Sequence, residues 1–328
     1  MQNLLYNKVY GCLIGGLIGD AMGAPVENKH YKEIEEEYGM INDFKGDGTD
    51  DSAIKLILCD AIISNKGYVT ADEFAEAFLR NEQYYNLFFI PVKNMFHKIK
   101  DSLVLPVYAG MGNMQSTSSA MCISPMGLIN ACNPRQAAVE TYDVAGLIHA
   151  GDTTFCRDAA CAIAAAVAEA MKPDATVDSI IASSTAYLHS ISSKVMICKI
   201  QEVVALARET KDYKAFRERF YKDYLYDVIC DSRETVPCTL ALFYLADGDP
   251  VKSILYGANF GRDADTIATM IGAIAGAYKG VDGFKPEWVK KIKENNPEQE
   301  ELAQRIVEVI KSKAADTQKS LKLLEELY

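Results

Sequence analysis

Two aspartates stand directly before a long apolar segment near the middle of the C-terminal half of the chain. Asp263 and Asp265 lie in the stretch GRDADTIA, and residues 266–280, TIATMIGAIAGAYKG, are almost all small or apolar. Such a segment is expected to be buried, and a charge buried beside it is costly unless something neutralises it. The pattern therefore predicts a positively charged partner at the start of this segment.

Apolar residues recur at three- and four-residue spacing through most of the chain, whereas the strict alternation typical of strands is scarce. The sequence therefore predicts an all-α fold: a single, compact, multi-helix domain. We expect the main domain over residues 1–280 and a helical extension over residues 281–328, rich in lysine and glutamate, packed on the same domain. The segments with the helical period are residues 50–65, 157–171, 177–192, 237–248 and 265–280.

Glycines recur every four residues in two of the apolar segments. Glycine costs a helix about 1 kcal/mol per site relative to alanine, so we expect neighbouring helix backbones to approach closely there. A phosphate-binding loop is the alternative. It is disfavoured because the chain has neither GxxxxGK followed by Ser or Thr nor a strand leading into GxGxxG. The glycines are Gly11, Gly15, Gly19 and Gly23 in the first segment and Gly272 and Gly276 in the second.

Charge and cysteine usage disfavour several classes of protein. The chain has 34 Lys and Arg against 45 Asp and Glu, a net charge of −11, which argues against a nucleic-acid partner because such binding needs a basic surface. Its nine cysteines form no CxxC pair and fit a reducing, cytoplasmic location. The N-terminal segment lacks a basic region and is interrupted by Asp20, so we expect neither a signal peptide nor a membrane span.

A second group of acids and hydroxyls precedes another helical segment. Residues 46–53, GDGTDDSA, contain Thr49, Asp50 and Asp51. Helix capping is one interpretation, because threonine suits an N-cap and acids favour the positive end of a helix. Asp263 can equally be an N-cap residue. Each motif alone therefore leaves capping and metal binding open.

Considered together, the two motifs favour a metal site. Residues two apart on a helix do not face each other, so Asp263 and Asp265 can serve one site only from a loop-to-helix junction. The adjacent Asp50 and Asp51 also diverge, which suits two ions better than one. The four carboxylates and two threonine hydroxyls form an all-oxygen ligand set, which is typical of Mg²⁺, with Mn²⁺ or Ca²⁺ as substitutes.

Electrostatic repulsion would require cations if the four acids converge. Two like charges about 5 Å apart, at an effective dielectric constant near 20, repel by roughly 3 kcal/mol. Six such pairs cost on the order of 20 kcal/mol, more than the stability of a typical domain. Two divalent cations would cancel four carboxylates in formal charge. This prediction assumes that the two motifs meet in the fold, which their spacing alone does not show.

Five segments of the chain form a recognisable series of motifs: GCLIGGLIGDAMGAPVE, TDDS, SSAMCISPMGLINACNP, AGLIHAGDTTFCRDAACAIAAAVAEAM and GRDADTIATMIGAIAGAYKG. In these segments the sequence resembles the ADP-ribosylglycohydrolase family, which includes dinitrogenase-reductase-activating and ADP-ribosylhydrolase-type enzymes. The order and spacing of the family motifs match from about residue 8 to about residue 280. The last matching motif is long, unusual and the most specific.

The resemblance implies an all-α domain with a dinuclear magnesium site in a cleft. It implies that Glu27 enters the site beside the metals as an acid/base or gate, and that Glu27, Asp51 and Asp263 are catalytic. It places His149 beside the substrate phosphate or the metal shell, with Ser118 and Ser119 also binding substrate. By motif position, the metal ligands are Thr49, Asp50, Asp51, Asp263, Asp265 and Thr266.

The chain departs from the family pattern at two places. Cys122 takes the place of an arginine at the end of the predicted long loop, residues 108–127. Arg262 stands where glycine is frequent. Two roles are open for Arg262: it binds a phosphate or carboxylate of the substrate, or it pairs with an acid, for which Glu234 is a candidate.

The reaction implied by the resemblance is hydrolysis of an N- or O-glycosidic bond at the anomeric ribose carbon of an ADP-ribosylated protein or a small ADP-ribosyl compound. The metals would hold the ribose hydroxyls or position water, with an oxocarbenium-like transition state as in glycoside hydrolysis. One alternative is an N-ribosyl hydrolase of a small nucleoside or nucleotide. The other is a non-catalytic structural or ligand-binding relative, which the intact acids disfavour.

Overall fold

The computed structural model describes residues 4–46 and 48–328. Over these residues it contains sixteen α-helices joined by turns and short 3₁₀ segments, and its only strand-like feature is an isolated bridge between Met111 and Ala150. The predicted all-α fold is confirmed. The helices are α1 (Leu4–Gly23), α2 (Tyr31–Tyr38), α3 (Asp50–Ser64), α4 (Ala71–Arg80), α5 (Ile90–Lys100), α6 (Ser124–Ile129), α7 (Pro134–Val144), α8 (Thr154–Ala170), α9 (Val177–Ala186), α10 (Lys194–Thr210), α11 (Tyr213–Asp223), α12 (Ser232–Leu245), α13 (Pro250–Ala258), α14 (Ala264–Lys279), α15 (Pro286–Asn295) and α16 (Gln299–Glu325).

Two of the predicted helical segments differ from the structure by at least five residues at one end. Helix α12 begins at Ser232, ahead of Pro237, because Asp231 caps it by accepting a hydrogen bond from the Arg233 N–H. Helix α9 ends at Ala186, short of the predicted residue 192. The serine-rich turn that follows is instead held by the Ser193 hydroxyl, which donates to Asp158 at 2.7 Å.

Helices α1 and α14 pack against each other through their glycines, which confirms the expected close approach. A Cβ added at Gly15 would lie 2.2 Å from the Gly272 carbonyl oxygen, and one added at Gly276 would lie 2.0 Å from that of Gly11. The contacts run in opposite directions along the two helices, so the pair is antiparallel. Gly23 at the end of α1 therefore lies against Asp265 at the start of α14, 2.4 Å from its Cα for an added Cβ.

Helix α1 is the central element of the core. Every residue from Asn7 to Gly23 is buried, and α14, α13, α16 and α3 all contact the helix. By length and composition, residues Leu4–Val26 are long and apolar enough to cross a membrane, whereas the sequence predicts no membrane span there. However, 89% of the most apolar window is buried inside the protein, as in the core helix of a globular domain.

The C-terminal helices lie on the same core. Helix α15 contacts α1, and α16 contacts α1, α3 and α6. Trp288, Ile292, Ile306 and Ile310 are the main buried side chains of this region. The boundary at residue 280 stays a prediction, because these helices pack continuously onto the helices that precede it.

We expect the substitution Gly15→Ala to lower the free energy of unfolding by about 3 kcal/mol, because the new methyl group meets the backbone of α14. Chemical denaturation of the two proteins measures this loss. Gly16→Ala is the matched control: the atom nearest to its Cβ is the flexible Lys55 ammonium at 3.1 Å, so its change stays within about 1 kcal/mol. Equal losses in the two variants would contradict the close packing of α1 on α14.

Candidate metal centre and active-site cleft

The antiparallel packing of α1 and α14 brings Glu27 to the start of α14. The Asn28 N–H donates to the Arg262 carbonyl and the Arg262 N–H donates to the Lys29 carbonyl, both at 2.8 Å. These reciprocal bonds hold the segment after α1 beside the turn before α14. The carboxylate oxygens of Glu27, Asp263 and Asp265 come within 4.8 Å of one another. Asp263 and Asp265 therefore point toward the same site from a loop-to-helix junction.

The start of α3 is held in place by a buried carboxylate on α1. Asp20 accepts hydrogen bonds from the Thr49 N–H, the Ser52 N–H and the Ser52 hydroxyl, the last at 2.5 Å. The Thr49 hydroxyl caps the helix by accepting from the Asp51 N–H at 3.3 Å. A Cβ at Gly48 would lie 2.5 Å from Asp20, so only glycine allows this approach.

Both acidic motifs line one cavity of about 380 Å³. The two helix starts touch directly, since the Thr266 hydroxyl donates to Asp51 Oδ1 at 3.4 Å. The two motifs therefore meet, as the prediction of two ions assumed. Thr49 is the one predicted ligand outside the lining. The lining residues are Glu27, Asn28, Asp50, Asp51, Phe89, Thr117, Ser118, Met121, Asp227, Val228, Ile229, Cys230, Asp263, Asp265 and Thr266.

Burial and mutual repulsion raise the pKa of these carboxyls. Burial, and then the charge of Asp20, raise the pKa of Asp50 to about 6. Burial raises the pKa of Asp263 to about 7 although the hydrogen bond from Thr117 lowers it. Burial and neighbouring carboxylates raise the pKa of Asp51 and Asp265 well above the ordinary value. Without a cation, the four acids cannot all ionise cheaply.

The donor set fits hard divalent cations. Within the described chain, Asp51 Oδ2 and Asp265 Oδ1 are buried and have no hydrogen-bond partner, whereas buried polar atoms in native proteins are nearly always satisfied. The facing groups are carboxylate and hydroxyl oxygens, the ligands that Mg²⁺, Mn²⁺ and Ca²⁺ prefer. Bound cations would satisfy these oxygens and remove the repulsion between the acids.

A hydroxyl-rich loop supports the centre from the side. The Thr117 hydroxyl donates to Asp263 Oδ2 at 2.9 Å. The loop is held by His149, whose two ring nitrogens lie 3.1 Å from the Ser116 hydroxyl and 2.9 Å from the Ser119 hydroxyl. Burial lowers the pKa of His149 to about 3, so its ring is neutral.

The structure separates the predicted substrate-binding residues into two groups. Ser118 lines the cavity, whereas His149 and Ser119 are buried behind the lining and occupied with each other. Their placement argues against contact with substrate, because Thr117 and Ser118 of the 116–119 loop line the cavity and His149 and Ser119 do not. They hold that loop in position instead.

Arg262 adopts the second of its two open roles. Its guanidinium donates to both carboxylate oxygens of Glu234 at 2.8 Å and to the Tyr226 carbonyl. The Tyr226 N–H in turn donates to Glu234 at 2.7 Å. Arg262 is outside the residues that line the cavity. The predicted acid partner is thus present, and substrate contact by Arg262 would require this bidentate pair to break.

Sequence reasoning missed Asp20, Thr117 and Asp227 as parts of the site. The sequence does mark Asp20, because it is the one charged residue in the otherwise apolar second half of α1. Thr117 and Asp227 reach the cavity only because distant loops meet there. No local pattern marks them.

Fold and site together define a class of protein: an all-α protein with an acidic cleft whose oxygen donors fit divalent cations. The sequence matches the ADP-ribosylglycohydrolase family over residues 1–316, and the chain belongs to this family. It is therefore a glycosidase of the ADP-ribosyl hydrolase type, as the motifs predicted.

Individual relatives agree with this membership. The uncharacterized protein YegU of Escherichia coli (strain K12) is 25% identical, the match covering 85% of this chain and 90% of that protein. The ADP-ribosyl-(dinitrogen reductase) glycohydrolase of Rhodospirillum rubrum is also 25% identical, over 88% of this chain and 91% of that protein. A solved structure titled ADP-ribosylglycohydrolase-related protein complex shares the fold, with a TM-score of 0.69 and 19% identity over 94% of this chain and 98% of that one.

We expect the chain, when kept in EDTA, to lose stability as the pH rises from about 5 to about 8. A carboxyl whose pKa is higher in the folded state binds more protons there than when unfolded, so raising the pH through this window favours unfolding. The loss is on the order of a few kcal/mol and is measured by urea denaturation at each pH.

The variant Asp263→Asn is the control, since it removes one of the shifted carboxyls and should flatten the pH dependence. A chain in EDTA that is equally stable, or more stable, at pH 8 would show that the acids do not repel one another as described.

Proposed function

We propose that this protein is a magnesium-dependent hydrolase that cleaves the N- or O-glycosidic bond at the anomeric ribose carbon of an ADP-ribosylated protein or a small ADP-ribosyl compound. The observation that carries the proposal is the meeting of both acid–hydroxyl motifs at one cavity, where two buried carboxylate oxygens lack partners. The Rhodospirillum rubrum relative, named as a glycohydrolase of ADP-ribosyl dinitrogen reductase, supports the substrate class.

Two metal ions would be held where the starts of α3 and α14 meet. When bound, they would supply Lewis-acid polarisation and contacts for the ribose hydroxyls. Asp51 and Asp263 belong to this centre, and Thr117 fixes the orientation of Asp263 through its hydrogen bond. The proposed ligands are Thr49, Asp50, Asp51, Asp263, Asp265 and Thr266.

Glu27 is proposed as the acid/base or gate at the mouth of the cavity. Its side chain is exposed and accepts a hydrogen bond from the Asn28 amide at 3.0 Å. The carboxylate lies beside Asp263 and Asp265, so it can exchange a proton with a group bound there and with solvent. This combination of reach and exposure is what a proton-transfer residue requires.

The second candidate substrate is a small nucleoside or nucleotide. The acidic lining of the cavity supports this candidate. The described lining residues include six acids and no lysine, arginine or histidine. A diphosphate inside the cavity would therefore have no cationic side chain as a partner. A ribosyl group alone meets no such penalty.

A substrate panel separates the two candidates. Purified protein with Mg²⁺ is incubated with an ADP-ribosylated protein, with a small ADP-ribosyl compound and with a set of nucleosides, and free ADP-ribose or free base is measured. We expect release of ADP-ribose. Release of base from nucleosides alone would support the second candidate, and no release from any substrate would support a binding role.

We expect Asp263→Asn and Asp50→Asn to reduce turnover by at least about a thousandfold and to weaken Mg²⁺ binding, because each removes a proposed ligand charge. Turnover and calorimetric titration with Mg²⁺ measure the two effects. Folding should survive, since burial already favours the uncharged form of both side chains.

Asp60→Asn is the matched control, because Asp60 lies on α3 but pairs with Arg80 at the surface. It should leave turnover and Mg²⁺ binding unchanged. Wild-type activity in either ligand variant with metal present would refute the proposed centre.

A further inference from the structure

A buried lysine lies one helical turn behind the proposed metal centre. Lys55 follows Asp51 by four residues on α3, which puts the two on one face of the helix, and side chains on a helix lean toward its N-terminus. Lys55 is only 1% exposed. In the described part of the chain its ammonium makes one long hydrogen bond, to the Leu13 carbonyl at 3.4 Å, and no ion pair within 4.0 Å.

The position of Gly16 locates this ammonium between two parts of the site. A Cβ at Gly16 would lie 3.1 Å from Lys55 Nζ, so the ammonium touches the turn of α1 that precedes Asp20. It therefore lies behind Asp20 on α1 and behind Asp51 on α3. Burial lowers the pKa of Lys55, and the charges of Asp20 and Asp51 act in the opposite direction.

Lys8, a buried lysine on α1, has hydrogen-bond partners of a kind that Lys55 lacks. Lys8 is 7% exposed and donates to the Ala170 carbonyl at 2.6 Å and the Lys172 carbonyl at 3.2 Å. Local acceptors therefore satisfy Lys8, about 18 Å of helix away from Asp20. Lys55 has no comparable set of acceptors, and the charges of Asp20 and Asp51 offset only part of the cost of its burial.

Lys55 adds a positive charge to a centre rich in acids. When all are ionised, the four predicted ligand acids and Asp20 carry five negative charges, and the exposed Glu27 beside Asp263 and Asp265 adds a sixth. Two divalent cations and one ammonium carry five positive charges. With no divalent cation bound, Lys55 is the one cation buried among these acids in the described chain.

We propose that Lys55 is a fixed counter-cation of the acidic centre, which stabilises the metal-free protein and weakens the binding of divalent cations. It does both because its charge attracts the carboxylates and repels the ions that would occupy the cavity. The divalent cations can then exchange with solvent although the ligands carry a large negative charge. The inference rests on the proposed magnesium centre.

The test compares Lys55→Met with Lys8→Met, each of which replaces a buried lysine by an apolar side chain of similar length. Calorimetric titration gives the Kd for Mg²⁺, and thermal unfolding is followed in EDTA and in saturating Mg²⁺. We expect Lys55→Met to bind Mg²⁺ about tenfold more tightly than the wild type, to be less stable in EDTA and to recover most of that loss with Mg²⁺. Lys8→Met should lose the same stability in both conditions and keep the wild-type Kd.

The outcomes separate this inference from the proposed centre. If the wild type itself neither binds Mg²⁺ nor is stabilised by it, the magnesium centre fails and Lys55 has no ion to oppose. If the wild type binds Mg²⁺ but Lys55→Met has an equal or weaker affinity, the centre stands and the counter-cation role is overturned.

Lys55→Gln, which keeps an N–H donor for the Leu13 carbonyl, replaces Lys55→Met if the latter is not recovered folded. Folding of either variant only with Mg²⁺ would support the proposal. Failure of both to fold with or without Mg²⁺ would show a purely structural role for the ammonium and overturn it.

Discussion

Repulsion among buried carboxylates is the constraint on which the structure of the site depends. Asp50, Asp51, Asp263 and Asp265 are brought together from two helix starts that are far apart in sequence, and burial alone already raises the pKa of each. A fold that places such groups side by side must hold them there against their own charge. It does so with the close backbone contacts between α1 and α14 and with the hydrogen bonds that Asp20 accepts from the start of α3.

The close approach of α1 to α14 supplies the rigidity. Because glycines face the backbone of the partner helix along the whole contact, the end of α1 is fixed against the start of α14. That contact places Glu27 beside Asp263 and Asp265, and it orients Asp20 to hold the start of α3. The same helix pair therefore positions both halves of the site.

The sequence predicted the helices, the glycine contact and the acids, because each depends on local spacing. The periods of residues 50–65 and 265–280 correspond to α3 and α14 within a residue or two, and the pairing of Arg262 with Glu234 was one of two stated alternatives. The meeting of the two acidic motifs could only be assumed, since it depends on the tertiary path between them. The resemblance assigns His149 and Ser119 to the substrate, whereas in the structure they hold the loop beside the cavity and are not among its lining residues.

The central claim is that the two helix starts share a pair of divalent cations. Anomalous diffraction from crystals grown with Mn²⁺ tests it most directly, because manganese binds oxygen ligands like those of magnesium and is identified by its own absorption edge. The account predicts two anomalous peaks in the cavity, each about 2 Å from oxygens of the α3 and α14 motifs. A cavity with no peak, or peaks bound only at other places on the surface, would contradict it.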